Sequence, residues 1–141
     1  MAIELSTEVR VGYLLARVTG KFQLAQAEAA TARILRVCAA RRLVKVLLDI
    51  RQMHGPISDT QRFRYSEFMA RQVARLSPRA GGPIRLAYLG RVPVLDPARF
   101  GVTVAYNRAV PLLATEDLAA ALAWLEVEEP DPPALTQDGL V

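Results

Sequence analysis

Asp49 closes an apolar run, Leu43 to Ile50, and His54 follows in the next loop. Parallel sheets place ligands at the carboxyl ends of their strands, so an Asp49–His54 polar pair beside a pocket is one expectation. The competing one is that Asp49 caps nearby loop amides while His54 meets solvent. Ser58 has Gln61 three residues on, the spacing of a capping box at a helix start. Cys38 and His54 are the sole cysteine and histidine, the residue types of a thiol nucleophile and its base. Cys38, however, falls on the apolar face of an Ala-rich helix, where a thiol acts as a small hydrophobe. A lone Cys and a lone His do not make a zinc site, and the carboxylates are not clustered. G-x-S-x-G, P-loop and G-x-G-x-x-G patterns do not occur, and Gly81-Gly82 marks only a turn. No catalytic residue, metal or cofactor is expected, and no enzyme.

One further stretch has residue types suited to contact. Arg62, Arg64, Arg71 and Arg75 are interleaved with Phe63, Tyr65, Phe68 and Met69. On a helix, Tyr65 and Met69 share an inner stripe with Val73 and Leu76, while the arginines solvate the outer face. Phe63 and Phe68 do not both fit that stripe, so one of them is left exposed, or covers a pocket or a dimer contact. The ligand or partner surface expected from sequence is therefore Asp49, His54, Ser58, Phe63, Tyr65, Phe68 and Met69.

These residues belong to a chain of 141 residues with net charge +4, 52% hydrophobic and 23% charged, the balance of one globular domain. Five of the fourteen acids follow Leu125, so the body before residue 126 has 18 bases against 9 acids, or +9. Sixteen of the bases are Arg, which reads first as compositional bias serving solubility. Nucleic acid is not the expected partner, though peripheral contact with a membrane surface fits the charge. No apolar run reaches the length of a membrane span and the N-terminus lacks a secretory pattern, so the expected location is cytoplasmic.

Leu14, Ala16 and Val18 alternate with their neighbours, which predicts two short strands at about 2–8 and 12–19 closed by Gly20. Leu24, Ala27, Thr31, Ile34, Leu35 and Cys38 recur at helical spacing, predicting a helix over 22–41. Leu43 to Ile50 reads as a strand buried on both faces, and 51–57 as a loop. A second helix starts at Ser58 and gives way at Ser77–Pro83. Ile84–Leu89 is a strand, Asp96-Pro97 opens a helix through about 108, and Val110–Leu113 is a short strand. Thr115 caps a final helix with Leu118, Leu122 and Leu125 as its stripe and Trp124 beside it. The order β-β-α-β-α-β-α-β-α predicts an α/β fold with a mixed, mostly parallel five-stranded sheet flanked by four helices. The expected domain is 1–125, followed by a flexible, acidic, Pro-containing tail at 126–141.

Val44–Ile50, the loop ending Gly55-Pro56 and the stretch from Asn107-Arg108 through Ala123-Trp124-Leu125 resemble the SpoIIAA-like branch of the STAS superfamily, small bacterial proteins also called STAS/SEC14-domain proteins. The resemblance covers about residues 3–125 and is one of packing pattern. It implies a mixed sheet flanked by helices. It also implies two kinds of function: that of anti-sigma-factor antagonists, switched by phosphorylating a serine at a helix N-terminus after a central strand, and carriage of an apolar ligand as in SEC14 domains. The antagonist serine follows an Asp-Ser-x-Gly-type turn, whereas Asp49 precedes Ile50-Arg51-Gln52-Met53 and the first serine is Ser58, read here as an N-cap. The leading expectation is a non-enzymatic binding or regulatory module of unknown pathway, acting on another protein or a second copy through helix two and the Asp49–Ser58 loop. The alternative is a carrier of a lipid or other apolar small molecule in a cleft between sheet and helices.

Overall fold

The computed structural model describes residues 3–95 and 110–128. The alternating N-terminal residues form a hairpin in which β1 (Glu4–Arg10) runs antiparallel to β2 (Tyr13–Lys21). There follow α1 (Leu24–Arg41), β3 (Lys45–Asp49), β4 (Met53–His54), α2 (Asp59–Ala80), β5 (Arg85–Leu89), β6 (Leu112–Thr115) and α3 (Leu118–Leu125). The sheet order is β1-β2-β3-β5-β6, and β2, β3, β5 and β6 are mutually parallel. The α/β class and the mixed, mostly parallel sheet match the sequence expectation. The helix expected at 96–108 lies outside the described residues, as does the tail beyond 128.

The sheet is buried on both faces because its strands carry apolar residues at both parities. Leu14, Ala16 and Val18 of β2, Val46 and Leu48 of β3, and Leu86 and Tyr88 of β5 pack under α1 and α2. Tyr13, Leu15, Leu47, Ala87 and Leu89 point the other way and are covered by Leu118, Ala121 and Leu125 of α3. Apolar side chains withdrawn in this way are worth about 1.5–3 kcal/mol each. The α1 face is as its spacing predicted, with Ala27, Thr31, Ile34, Leu35 and Cys38 all buried. In the last turn of α3, Trp124 is held by Arg85 of β5, whose guanidinium stacks 4.5 Å over the ring and donates to the Trp124 carbonyl at 2.7 Å.

Four local features differ from the sequence expectation, each for a physical reason. Gly20 does not end β2, which continues to Lys21 because Gly20 and Lys21 pair with Met53 and His54 of β4. That two-residue strand, expected as loop, is too short to leave a periodic signal. The last strand is Leu112–Thr115, so Thr115 lies in the sheet and Asp117 becomes the N-cap of α3, accepting from Ala119 N at 3.0 Å. Finally, α2 runs through Ser77-Pro78 to Ala80, where a break was expected. Proline removes one helical N–H, yet the extra turn buries Ala80 and ends at Gly81, whose φ of 108° suits glycine.

Ser77 secures that end. Its hydroxyl donates to the Val73 carbonyl at 2.6 Å and accepts from Ile84 N at 3.1 Å, joining the last turn of α2 to the start of β5. Ile84 is wholly buried, so losing the acceptor strands its N–H. Ser77→Ala is expected to lower stability by about 2 kcal/mol, read as a shift in the urea midpoint at unchanged m-value; an unshifted midpoint would show that the α2–β5 junction is held elsewhere.

Candidate functional site

Asp49 is the last residue of β3 and its side chain turns to the α3 side of the sheet, as Leu47 does. It is buried at 2% exposure, and the Arg51 side chain is fully enclosed. Asp49 Oδ1 accepts from Arg51 N at 3.2 Å and from Arg51 Nε at 3.0 Å, while Oδ2 accepts from Arg51 Nη2 at 3.0 Å. Arg17, opposite Asp49 in the β2–β3 register, adds a longer contact from Nε at 3.4 Å. Burial alone would raise the carboxyl pKa. The Arg51 side-chain and backbone hydrogen bonds, with the Arg51 and Arg17 charges, outweigh it and hold the group below its ordinary value.

His54 is not among these partners. It is exposed on β4, in register with Lys21, and its carbonyl accepts from Phe22 N at 2.8 Å. Of the two expectations the geometry follows the second: Asp49 accepts from the Arg51 loop amide while His54 meets solvent, and no Asp49–His54 pair forms. The Arg51 side chain supplies the cation that a buried carboxylate needs. Ser58 is the exposed N-cap of α2: its Oγ accepts from Gln61 N at 3.1 Å, and Gln61 Oε1 accepts from Ser58 N at 2.9 Å. Cys38 is sealed in the core, and burial pushes its thiol up to about 12.

Tyr65 and Met69 meet on the opposite side of the sheet. Between α1, α2 and the strand ends lies a cavity of about 360 Å³, walled mainly by apolar side chains such as Val18, Leu48, Ile50, Met69, Leu112 and Ala114. Three hydroxyls run through it. Thr31 Oγ1 lies 2.7 Å from Tyr65 Oη, and Tyr65 Oη lies 2.6 Å from Tyr88 Oη. The two rings meet edge to face, 6.4 Å between centroids. Burial raises the pKa of Tyr65, against the lowering effect of its Thr31 and Tyr88 hydrogen bonds. Burial, then Tyr65, raises that of Tyr88 further, so both phenols keep their protons at neutral pH. At the rim, Arg62 donates to the Val94 carbonyl at 2.8 Å and the Pro93 carbonyl at 2.6 Å. Phe63 faces outward, 41% exposed, beside Arg64, Arg71, Glu28 and Glu67, and Phe68 is half-buried.

The sequence residues thus divide between two faces: Asp49 on the α3 side, Tyr65 and Met69 in the cavity, with His54, Ser58 and Phe63 exposed. Sequence reasoning missed Arg51 and Tyr88. The signal for Tyr88 was present, since it is the one hydroxyl in the apolar run Ile84–Leu89 and alternation puts it on the face of Leu86. Among the described residues, no group of three or more His, Cys, Asp or Glu is placed to hold a metal, and no helix is long and apolar enough to cross a membrane.

Removing the Asp49 charge leaves Arg51 buried without its counter-ion, so Asp49→Asn is expected to cost about 3 kcal/mol at pH 7. Because the folded pKa is depressed, the contribution of Asp49 is full above its unfolded value. It fades as pH falls below about 4 towards the folded pKa. Urea titrations from pH 7 to pH 2 should show the wild type losing this increment on acidification and the variant lacking it from the start. Equal stabilities at pH 7 would refute the assignment.

No protein-family model matches this sequence, and no curated protein matches it. Solved structures do. One is the crystal structure of an anti-sigma factor antagonist from Mycobacterium paratuberculosis, 17% identical, with a TM-score of 0.60 over 89% of this chain and 96% of that one. Another is a DUF3478-family protein with a SpoIIAA-like fold from Shewanella loihica, 21% identical, with a TM-score of 0.49 over 88% of this chain and 94% of that one. The first likeness, over nearly the whole of both chains, shows the fold and the fold alone: this chain has the SpoIIAA-like fold that the sequence resemblance implied.

Proposed function

We propose that this protein is a non-catalytic regulatory module that works by docking on another protein. The observation that carries this reading is the fold shared with an anti-sigma factor antagonist over 89% of the chain. The chemistry of the titratable groups supports it: the Cys38 thiol is enclosed and held protonated, and the Asp49 charge is consumed by Arg51. The docking surface is the outer face of the N-terminal half of α2, where Phe63 stands among charges of both signs, the mixture of aromatic anchor and polar rim that protein interfaces use. A photo-reactive phenylalanine placed at Phe63 and, separately, at Val9 on the distant edge strand tests this in cells. A discrete adduct with one protein from position 63 and none from position 9 is expected, its mass separating a second copy from a different partner. Equal labelling from both positions, or none from 63, would sink the proposal.

A specific observation favours a second reading, uptake of an apolar small molecule: the cavity of about 360 Å³ under α1 and α2 falls in the range of small-molecule sites. Native mass spectrometry of the purified protein, before and after solvent extraction, is expected to show an adduct of a few hundred daltons that extraction removes. A clean mass from cells and after incubation with added hydrophobic compounds would count against it.

A further inference from the structure

We propose that the cavity under α1 and α2 is a site for an elongated apolar molecule bearing one uncharged hydrogen-bond acceptor, such as a ketone or ester, held by the Thr31–Tyr65–Tyr88 hydroxyls. The proposal rests on the small-molecule reading above and adds the chemical class of the ligand.

Three hydroxyls in a row carry three O–H donors, and the two oxygen–oxygen contacts at 2.7 and 2.6 Å consume two of them. The third has no partner among the described residues, and all three side chains line the cavity. A donor left without an acceptor costs about 1–3 kcal/mol where water is excluded, and a ligand oxygen placed at the end of the chain would accept that proton as the ligand's apolar part displaces water. Either end can serve, because the hydroxyls reverse their donor sense together. The phenol protons are retained at neutral pH, burial having raised both pKa values, so the chain offers a donor and not an oxyanion.

Charge and volume narrow the class. Arg62 is the one cation among the described lining residues, and both its terminal nitrogens are engaged by the Val94 and Pro93 carbonyls. The Glu116 carboxylate lines the same cavity and balances the Arg62 charge, so a carboxylate ligand at the hydroxyl chain would meet no net positive charge, which is costly, whereas a ketone or ester oxygen needs only the donor at the end of the chain. At a water's liquid share of ~30 Å³, the cavity of about 360 Å³ takes about a dozen non-hydrogen atoms. That is the size of 2-undecanone.

The test uses the full chain and 2-undecanone labelled with carbon-13 at its carbonyl. Hydrogen bonding moves a ketone carbonyl resonance downfield of its position in hexane. The bound ketone is expected downfield in the wild type and near its hexane position in the Thr31→Val/Tyr65→Phe/Tyr88→Phe triple variant, which keeps both rings and removes all three hydroxyls, with affinity about tenfold weaker. A bound ketone at its hexane position in the wild type overturns the hydroxyl anchor while the small-molecule reading stands, and this holds whether or not the variant folds. Failure of the ketone to bind overturns both. Decanoate binding more tightly than the ketone overturns the uncharged-acceptor class.

Discussion

A parallel sheet covered on both faces is the constraint from which the rest of this molecule follows. β3 lies between β2 and β5, and neither of its faces meets water. Parallel strands need crossovers, which lay α1 and α2 on one side. The other side still carries Tyr13, Leu15, Leu47, Ala87 and Leu89, and without α3 those residues would form an exposed apolar sheet face. The short C-terminal helix is therefore a structural requirement, and Arg85, stacked on Trp124 while bonding its carbonyl, fixes where it sits.

Polar groups inside such a sheet must find partners within the fold, and the two sides meet that demand differently. On the α3 side, Asp49 faces the Arg51 guanidinium squarely, with Arg17 beyond it. The carboxylate is fully engaged there, and the second guanidinium leaves the cluster with a net positive charge. On the α1–α2 side the polar groups are hydroxyls, bonded in series with one proton left over and bordered by a cavity. An ion pair and an open hydroxyl chain lie on opposite faces of one strand layer. The first stabilises the sheet end, and the second is the part of the fold with capacity to receive something.

The outer surface adds a separate capacity. Phe63 is directed away from the cavity that Tyr65 and Met69 line, because successive residues of α2 diverge by a large angle around the helix axis. The proposed docking at α2 and the proposed uptake beneath it would thus use different faces of one helix.

How much of this was legible in the sequence depends on the range of the interaction. Local pattern determined the hairpin, the α1 stripe from Ala27 to Cys38, the doubly buried β3 and the Ser58–Gln61 cap, because each is decided by neighbours within a few residues. Period and composition likewise determined the mixed, mostly parallel sheet. Tertiary structure alone decided that Asp49 meets Arg51 and Arg17 and not His54, since the pairing depends on strand register and on which side chain is shielded from water. It also decided that α2 runs past Pro78, where burial of Ala80 outweighs a local breaker, and that β4 joins β2 across a gap of thirty-odd residues. The Thr31–Tyr65–Tyr88 chain joins three elements whose separations in sequence have no period. Such a cluster exists only once packing has brought its members within hydrogen-bond distance.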